Sequence, residues 1–188
     1  MHQLTLALGL VFLLTGCTTL VNSVTSKPIQ PDPSDPSVGT DFNDIQMDTY
    51  IGVNLKKAHP DLKRSHINVN VYNALVLLTG EVPNVEMKAL AGDTARAFHG
   101  VRQVHNELQV RGKTSIVSRT NDALITGKIK ASLVFEKQIK ATDISVTTED
   151  SVVYLMGTVL RANGEIASNI ASASGGVRKV VKVFEYVD

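Results

Sequence analysis

Ile67-Asn-Val-Asn-Val-Tyr-Asn-Ala-Leu-Val-Leu-Leu-Thr-Gly80 returns further along the chain as Ile144-Ser-Val-Thr-Thr-Glu-Asp-Ser-Val-Val-Tyr-Leu-Met-Gly157, and that return decides the fold. Ile67 matches Ile144, Val69 matches Val146, Asn73 matches Asp150 and Gly80 matches Gly157, all at an offset of 77 residues. Gly100-Val101-Arg102 then matches Gly176-Val177-Arg178 at an offset of 76, so one residue is lost in between. A sustained offset with matching chemistry marks two copies of one small domain.

Each copy reads in the same order. A helix comes first, because Met47, Ile51 and Leu55 in one copy and Ile125, Ile129 and Leu133 in the other recur every four residues as an apolar stripe. Two strands follow, over 66–72 and 74–80, then over 143–148 and 151–157, with Asn73 and Glu149-Asp150 at the hairpin turns. A second helix, rich in Ala and Ser, is predicted over 84–98 and 163–174, with Asn84 and Asn163 as N-caps. A Gly-Val pair ends it and launches a last strand, over 101–110 and 177–187. The expected fold class is α+β: two tandem αββαβ units, each a small three-stranded mixed sheet covered by two helices.

Upstream of the repeat the chemistry changes. The apolar run Leu4 to Leu14 leads into Leu14-Thr15-Gly16-Cys17, the lipobox arrangement of a bacterial lipoprotein, and Cys17 is the single cysteine of the chain. A hydrophobic run of this length suits a signal peptide and falls short of the roughly 20 residues that span a bilayer. The short leader Met1-His2-Gln3 lacks the usual Lys or Arg. On this reading residues 1–16 are removed and Cys17 is acylated. Thr18 and Thr19, rather than Asp, follow the cysteine, which favours sorting to the outer membrane. Residues 17–43 form a tether, with Pro28, Pro31, Pro33 and Pro36 among Asp and Ser. The acidic cluster Asp32, Asp35, Asp41 and Asp44 lacks the Gly and Glu positions of a calcium loop and reads as a solvated linker. The domains then cover 44–112 and 113–188.

The αββαβ order, Leu78-Thr-Gly80-Glu-Val82 with Leu155-Met-Gly157-Thr-Val159, and the later Gly100 to Val104 with Gly176 to Val180 resemble the BON domain. Two such units behind a lipobox resemble the dual-BON outer-membrane lipoproteins of Gram-negative bacteria, over the whole chain from residue 44 onward. The resemblance implies a non-enzymatic, periplasm-facing envelope protein. It implies binding of anionic phospholipid (phosphatidylglycerol or cardiolipin) through the first helix of the second domain, and support of outer-membrane integrity. The family pattern at that helix, Asp-x-Trp-Ile-Thr, stands here as Asp122-Ala-Leu-Ile-Thr126, so the interfacial Trp is replaced by Leu124.

The residues of that helix, about 121–135, can be placed by angle. At about 100° per residue, Phe135 falls about 20° from Leu124, Lys128 about 40°, Ala131 about 20° on the other side and Val134 about 80°. This second, partly apolar stripe lies away from the core stripe and is edged by Lys128 and Lys130. With Ile125 and Gly127 these residues make up the candidate phospholipid site. The equivalent positions in the first copy, Gln46, Tyr50, Val53, Lys56 and Lys57, are more polar. Two readings of the stripe stand: it meets a lipid surface, or it packs on the first domain or on an envelope protein. The last strand leans to the second reading, since Val181, Val183 and Val187 alternate with Val180, Phe184 and Tyr186 and leave both faces apolar.

Other functions find little in the residues. A net charge of +1 gives no reason to expect nucleic acid as a partner. His2, His59, His66, His99 and His105 are not spaced as metal ligands with acidic neighbours. HExxH, GxSxG, CxxC and P-loop motifs are absent, and no cofactor is implied. Gly80 and Gly157 read as sites of a turn or of close backbone approach rather than as phosphate cradles.

Overall fold

The computed structural model describes residues 44–188; the signal peptide, Cys17 and the tether read from residues 1–43 lie outside them. The chain divides after Arg111 into two compact units.

The first unit runs α1 (Asp44–Ala58), α2 (Pro60–Arg64), β1 (His66–Tyr72), β2 (Leu75–Val82), α3 (Val85–Arg96), β3 (Gln103–Asn106) and β4 (Gln109–Val110). The second runs α4 (Ile116–Phe135), a 3-10 turn (Ala141–Asp143), β5 (Ile144–Glu149), β6 (Val152–Val159), α5 (Arg161–Ala173) and β7 (Lys179–Tyr186). Each sheet is mixed. The central strand, β2 or β6, is antiparallel to the strand before it and parallel to the strand after the crossover helix.

Alternation on the strands and the four-residue stripe on the first helix meet in one core per unit. Met47, Ile51 and Leu55 of α1 pack with Val76, Leu78 and Val82 of β2 and with Ala91 and Ala95 of α3. Ile125, Ile129 and Leu133 of α4 pack with Val153, Leu155 and Val159 of β6 and with Ala167 and Ala171 of α5. The small alanines bring the second helix close to its sheet. On β7, Val180, Phe184 and Tyr186 join this core, while Val181 and Val183 point to the other face.

Both hairpins close on two residues with positive φ, Asn73 (49°) and Ala74 (60°) in one and Asp150 (48°) and Ser151 (61°) in the other. That is the pattern of a type I′ turn, which suits strand twist but is unfavourable for non-glycine residues. A carboxylate from the first helix offsets the cost. Asp44 accepts from the Asn73 and Ala74 N–H groups at 2.6 and 3.0 Å. Asp122 accepts from those of Asp150 and Ser151 at 2.8 Å each. An arginine adds to each turn: Arg102 Nε donates to the Asn73 carbonyl, and Arg178 pairs with the Asp150 carboxylate. Asp44 is therefore a structural clamp at the start of α1, not part of a solvated acidic linker.

The close-approach reading of Gly80 and Gly157 has a direct measure. A Cβ on Gly80 would sit 2.1 Å from the His66 carbonyl oxygen, and one on Gly157 would sit 2.2 Å from that of Asp143. Gly80 also holds φ at +112°. Opposite it the ladder breaks between β3 and β4, at Glu107 and Leu108, whereas β7 pairs with β6 without interruption.

Several local expectations differ from what is found. Asn84 caps α3 by accepting from the Met87 N–H at 2.9 Å. Asn163 does not cap α5, which starts two residues earlier, after Leu160; the Arg161 N–H there donates to the Asp188 carboxylate. The first unit carries an additional helix, α2, with Pro60 in its first turn and the His59 imidazole accepting from the Asp61 N–H. The first helix of the second unit starts at Ile116, capped by the Ser115 hydroxyl, rather than near residue 121.

Candidate functional site

Helix α4 is 20 residues long, about 30 Å at 1.5 Å per residue. Its inner face is fixed by the core and by the Asp122 clamp. Nothing in the core claims its outer face. Leu124 is 60 % exposed, Val134 69 % and Phe135 83 %. Gly127, Lys128, Lys130 and Ala131 are exposed as well. The added first turn extends the same face, since Ile116 and Val117 are also exposed large apolar residues. Val117 lies seven residues before Leu124, nearly above it on the helix.

Ile125 does not belong with them. It is 2 % exposed and sits in the core with Ile129 and Leu133. The helical repeat turns it about 100° from Leu124, and a Cβ on Gly176 would meet its side chain at 3.2 Å. It supports the face and is not part of it.

Lys128 and Lys130 stand on the helix. Beyond it Glu136 is the C-cap, Lys137 is exposed, and Lys140 pairs with Asp143 at 3.4 Å. The acidic residue within the helix, Asp122, is buried and engaged by the hairpin. The exposed surface of the helix thus offers apolar side chains and ammonium groups together. Gly127 has no neighbour within 4 Å of where a Cβ would be, so no packing constraint explains it.

The corresponding positions on α1 behave differently. Gln46 is exposed, Tyr50 is partly buried and stacks on Phe98 with ring centroids 6.4 Å apart, Val53 is buried, and Lys56 and Lys57 are partly covered. Of the large apolar residues on α1, Ile45 is exposed. The polar character read from the sequence holds, and the one aliphatic residue among the five, Val53, is withdrawn from solvent.

The sequence reading missed the Asp44 and Asp122 clamps and the early start of α4. A signal for the start was present in Ser115 ahead of Ile116-Val117, a capping residue before apolar positions. The clamps join residues 28 to 30 positions apart and leave no local pattern. Among the described residues no helix is long and apolar enough to cross a membrane.

Residues 47–112 and 121–188 each match the BON domain. The chain is 32 % identical over 190 residues to the outer membrane lipoprotein DolP of Haemophilus influenzae, covering all of this chain and 97 % of that protein. It is 34 % identical over 156 residues to the 21 kDa hemolysin of Actinobacillus pleuropneumoniae, covering 82 % of this chain and 80 % of the relative. It is 32 % identical over 139 residues to the osmotically-inducible protein Y of Escherichia coli, covering 71 % and 69 %.

Proposed function

This chain belongs to the BON-domain family, and on that premise we propose that it is a non-enzymatic lipoprotein of the outer membrane, facing the periplasm, which docks on anionic phospholipid through the outer face of α4. Acylated Cys17 is its anchor and the Pro/Asp-rich segment to residue 43 its tether. Similarity along the whole length to a relative named as an outer membrane lipoprotein supports this location, as does the lipobox at Leu14 to Cys17.

The observation that carries the lipid reading is the exposed stripe of Leu124, Ala131, Val134 and Phe135 beside Lys128 and Lys130. A helix lying in a bilayer interface needs this pairing of apolar and cationic groups. Burying each large apolar side chain contributes up to roughly 1.5–3 kcal/mol, and each lysine near an anionic surface about 1 kcal/mol. Together these suit reversible docking by a protein already held nearby through its lipid. Loss of the family Trp at Leu124 shifts the aromatic contribution to Phe135, at the other end of the helix.

Flotation of the unlipidated chain (signal removed, Cys17→Ser) with vesicles tests the proposal. The chain should float with phosphatidylglycerol or cardiolipin vesicles and not with phosphatidylcholine. Leu124→Asp with Phe135→Asp should reduce binding at least about tenfold, with the melting temperature unchanged. Unaltered flotation of that double variant would remove α4 from the lipid site and leave its face to a protein partner of the envelope. For the anchor, Cys17→Ser should abolish lipid-dependent processing and membrane fractionation in cells.

A further inference from the structure

Apart from α4, the first unit holds a cavity of about 250 Å³ between α1 and β1, with α2 across one end. Leu55, Leu62, Ile67 and Val69 give it an apolar floor, and Ser65 and Asn68 add polar lining. Pockets for drug-sized ligands measure roughly 300–1,000 Å³, so this volume suits a smaller molecule.

Two features give the cavity a chemical preference. Asp48 lines it, half-buried. The nearest donor to its carboxylate is the Thr49 hydroxyl at 3.5 Å, and that hydroxyl is better placed on the Ile45 carbonyl at 3.0 Å. No ion pair reaches Asp48 among the described residues. Burial accordingly pushes its carboxyl above the usual value, against the weak effect of Thr49. A carboxylate short of counter-charge at an apolar cleft selects a cation with a hydrocarbon body.

The second feature is Gly52, one helical turn beyond Asp48. A glycine inside a helix costs roughly 0.5–1 kcal/mol relative to alanine. Here a Cβ would meet Val69 Cγ2 at 4.0 Å, an ordinary contact, so packing does not demand the glycine. Its effect is to leave the cleft open. Lys56 lines the cavity a further turn along, about 12 Å from Asp48 along the helix axis. The second unit lacks both features: Thr126 stands where Asp48 would be, with its hydroxyl bonded to that of Thr148 at 2.7 Å, and Lys130 replaces Gly52. The fold therefore does not require them.

We propose that the cleft between α1 and β1 binds a small alkylammonium compound, its aliphatic chain lying over Gly52, Leu55 and Leu62 and its amine on the Asp48 carboxylate. The site is independent of membrane docking by α4. No covalent step is involved.

The test is an NMR titration of the ¹⁵N-labelled unlipidated chain with hexylammonium chloride, beside 1-hexanol and sodium hexanoate at matched ionic strength. Hexylammonium should give saturable shifts in the millimolar range at the amides of α1 and β1 that line the cleft. Hexanol and hexanoate should bind at least about tenfold more weakly. Asp48→Asn removes the charge without filling space and should reduce hexylammonium to the level of hexanol. Gly52→Leu should abolish binding with the melting temperature retained. A flat titration, equal binding of hexanol and hexylammonium, or an unchanged Asp48→Asn variant would each overturn the proposal. If Gly52→Leu unfolds, Asp48→Asn still decides it.

Discussion

The two units share a backbone plan but spend their first helices differently. Helix α1 buries Val53 and partly covers Tyr50, Lys56 and Lys57, whereas α4 turns Leu124, Ala131, Val134 and Phe135 to solvent. What the copies hold in common is what the fold needs: a clamped I′ hairpin, a glycine pressed against the carbonyl that precedes its partner residue, and small residues under the crossover helix. Where they differ, the fold is indifferent and function has room to act. Duplication within one chain thus separates structural residues from functional ones without an outside reference.

The strongest way to sharpen this comparison is through the two glycines packed against the backbone that leads into the neighbouring strand. Gly157→Ala should destabilise the second unit by about 3 kcal/mol or more, because the added Cβ runs into a backbone oxygen that cannot move alone. Gly80→Ala should cost the first unit roughly 1–2 kcal/mol beyond that, for its left-handed φ. Equal losses for the two, measured by denaturant unfolding, would break the distinction drawn between a close approach and a close approach with strain.

Next come the clamps. Asp122 is 4 % exposed, and Asp122→Ala would leave two turn N–H groups and a buried void, at a cost of about 2–4 kcal/mol. Asp44 is more open to water, which can replace it, so Asp44→Ala should cost about 1–2 kcal/mol. Hydrogen exchange at Ser151 and Ala74 would report each loss locally. If both variants lose the same stability, burial does not set the worth of the clamp.

Smaller effects concern residues that only one copy has. Gly127→Ala should stabilise α4 by about 0.5–1 kcal/mol, because open space surrounds the position, and thermal melts would show it. Asp48→Asn should give the least change. Burial raises the folded-state pKa of Asp48 above the unfolded value. Its contribution is therefore fully present below the unfolded pKa and is lost as pH rises through the folded one. The variant should melt slightly higher than the parent at neutral pH, with the gap closing in acid below the ordinary aspartate range. A gap that widens on acidification would reverse the assigned cause.

The sequence made the repeat, the hairpins and the apolar stripes legible because each is a local period. Angle alone put Leu124, Val134 and Phe135 on one side of α4, and they are exposed there. The same angle sets Ile125 on the core side, where it is buried. At α5, Asn163 is a good capping residue that stands inside the helix, which already starts at Arg161. The chain instead used Asp188, a long-range partner that local pattern cannot disclose. Helix α2 carries a local signature, Pro60 and Asp61 after His59, that is weaker than the repeat around it. The break between β3 and β4 stands opposite the backbone angle of Gly80, a quantity that no residue type announces.

The position of Asp122 has one more consequence. It lies about 160° around α4 from Leu124, so the bond that locks the helix to its hairpin and the side chains that face outward are nearly opposite. Mutational drift can rewrite the outward face wholesale while the lock keeps the helix in register. A duplicated domain built this way is evolvable on one side and conservative on the other: a chassis whose exposed panel can be exchanged as membranes or partners change.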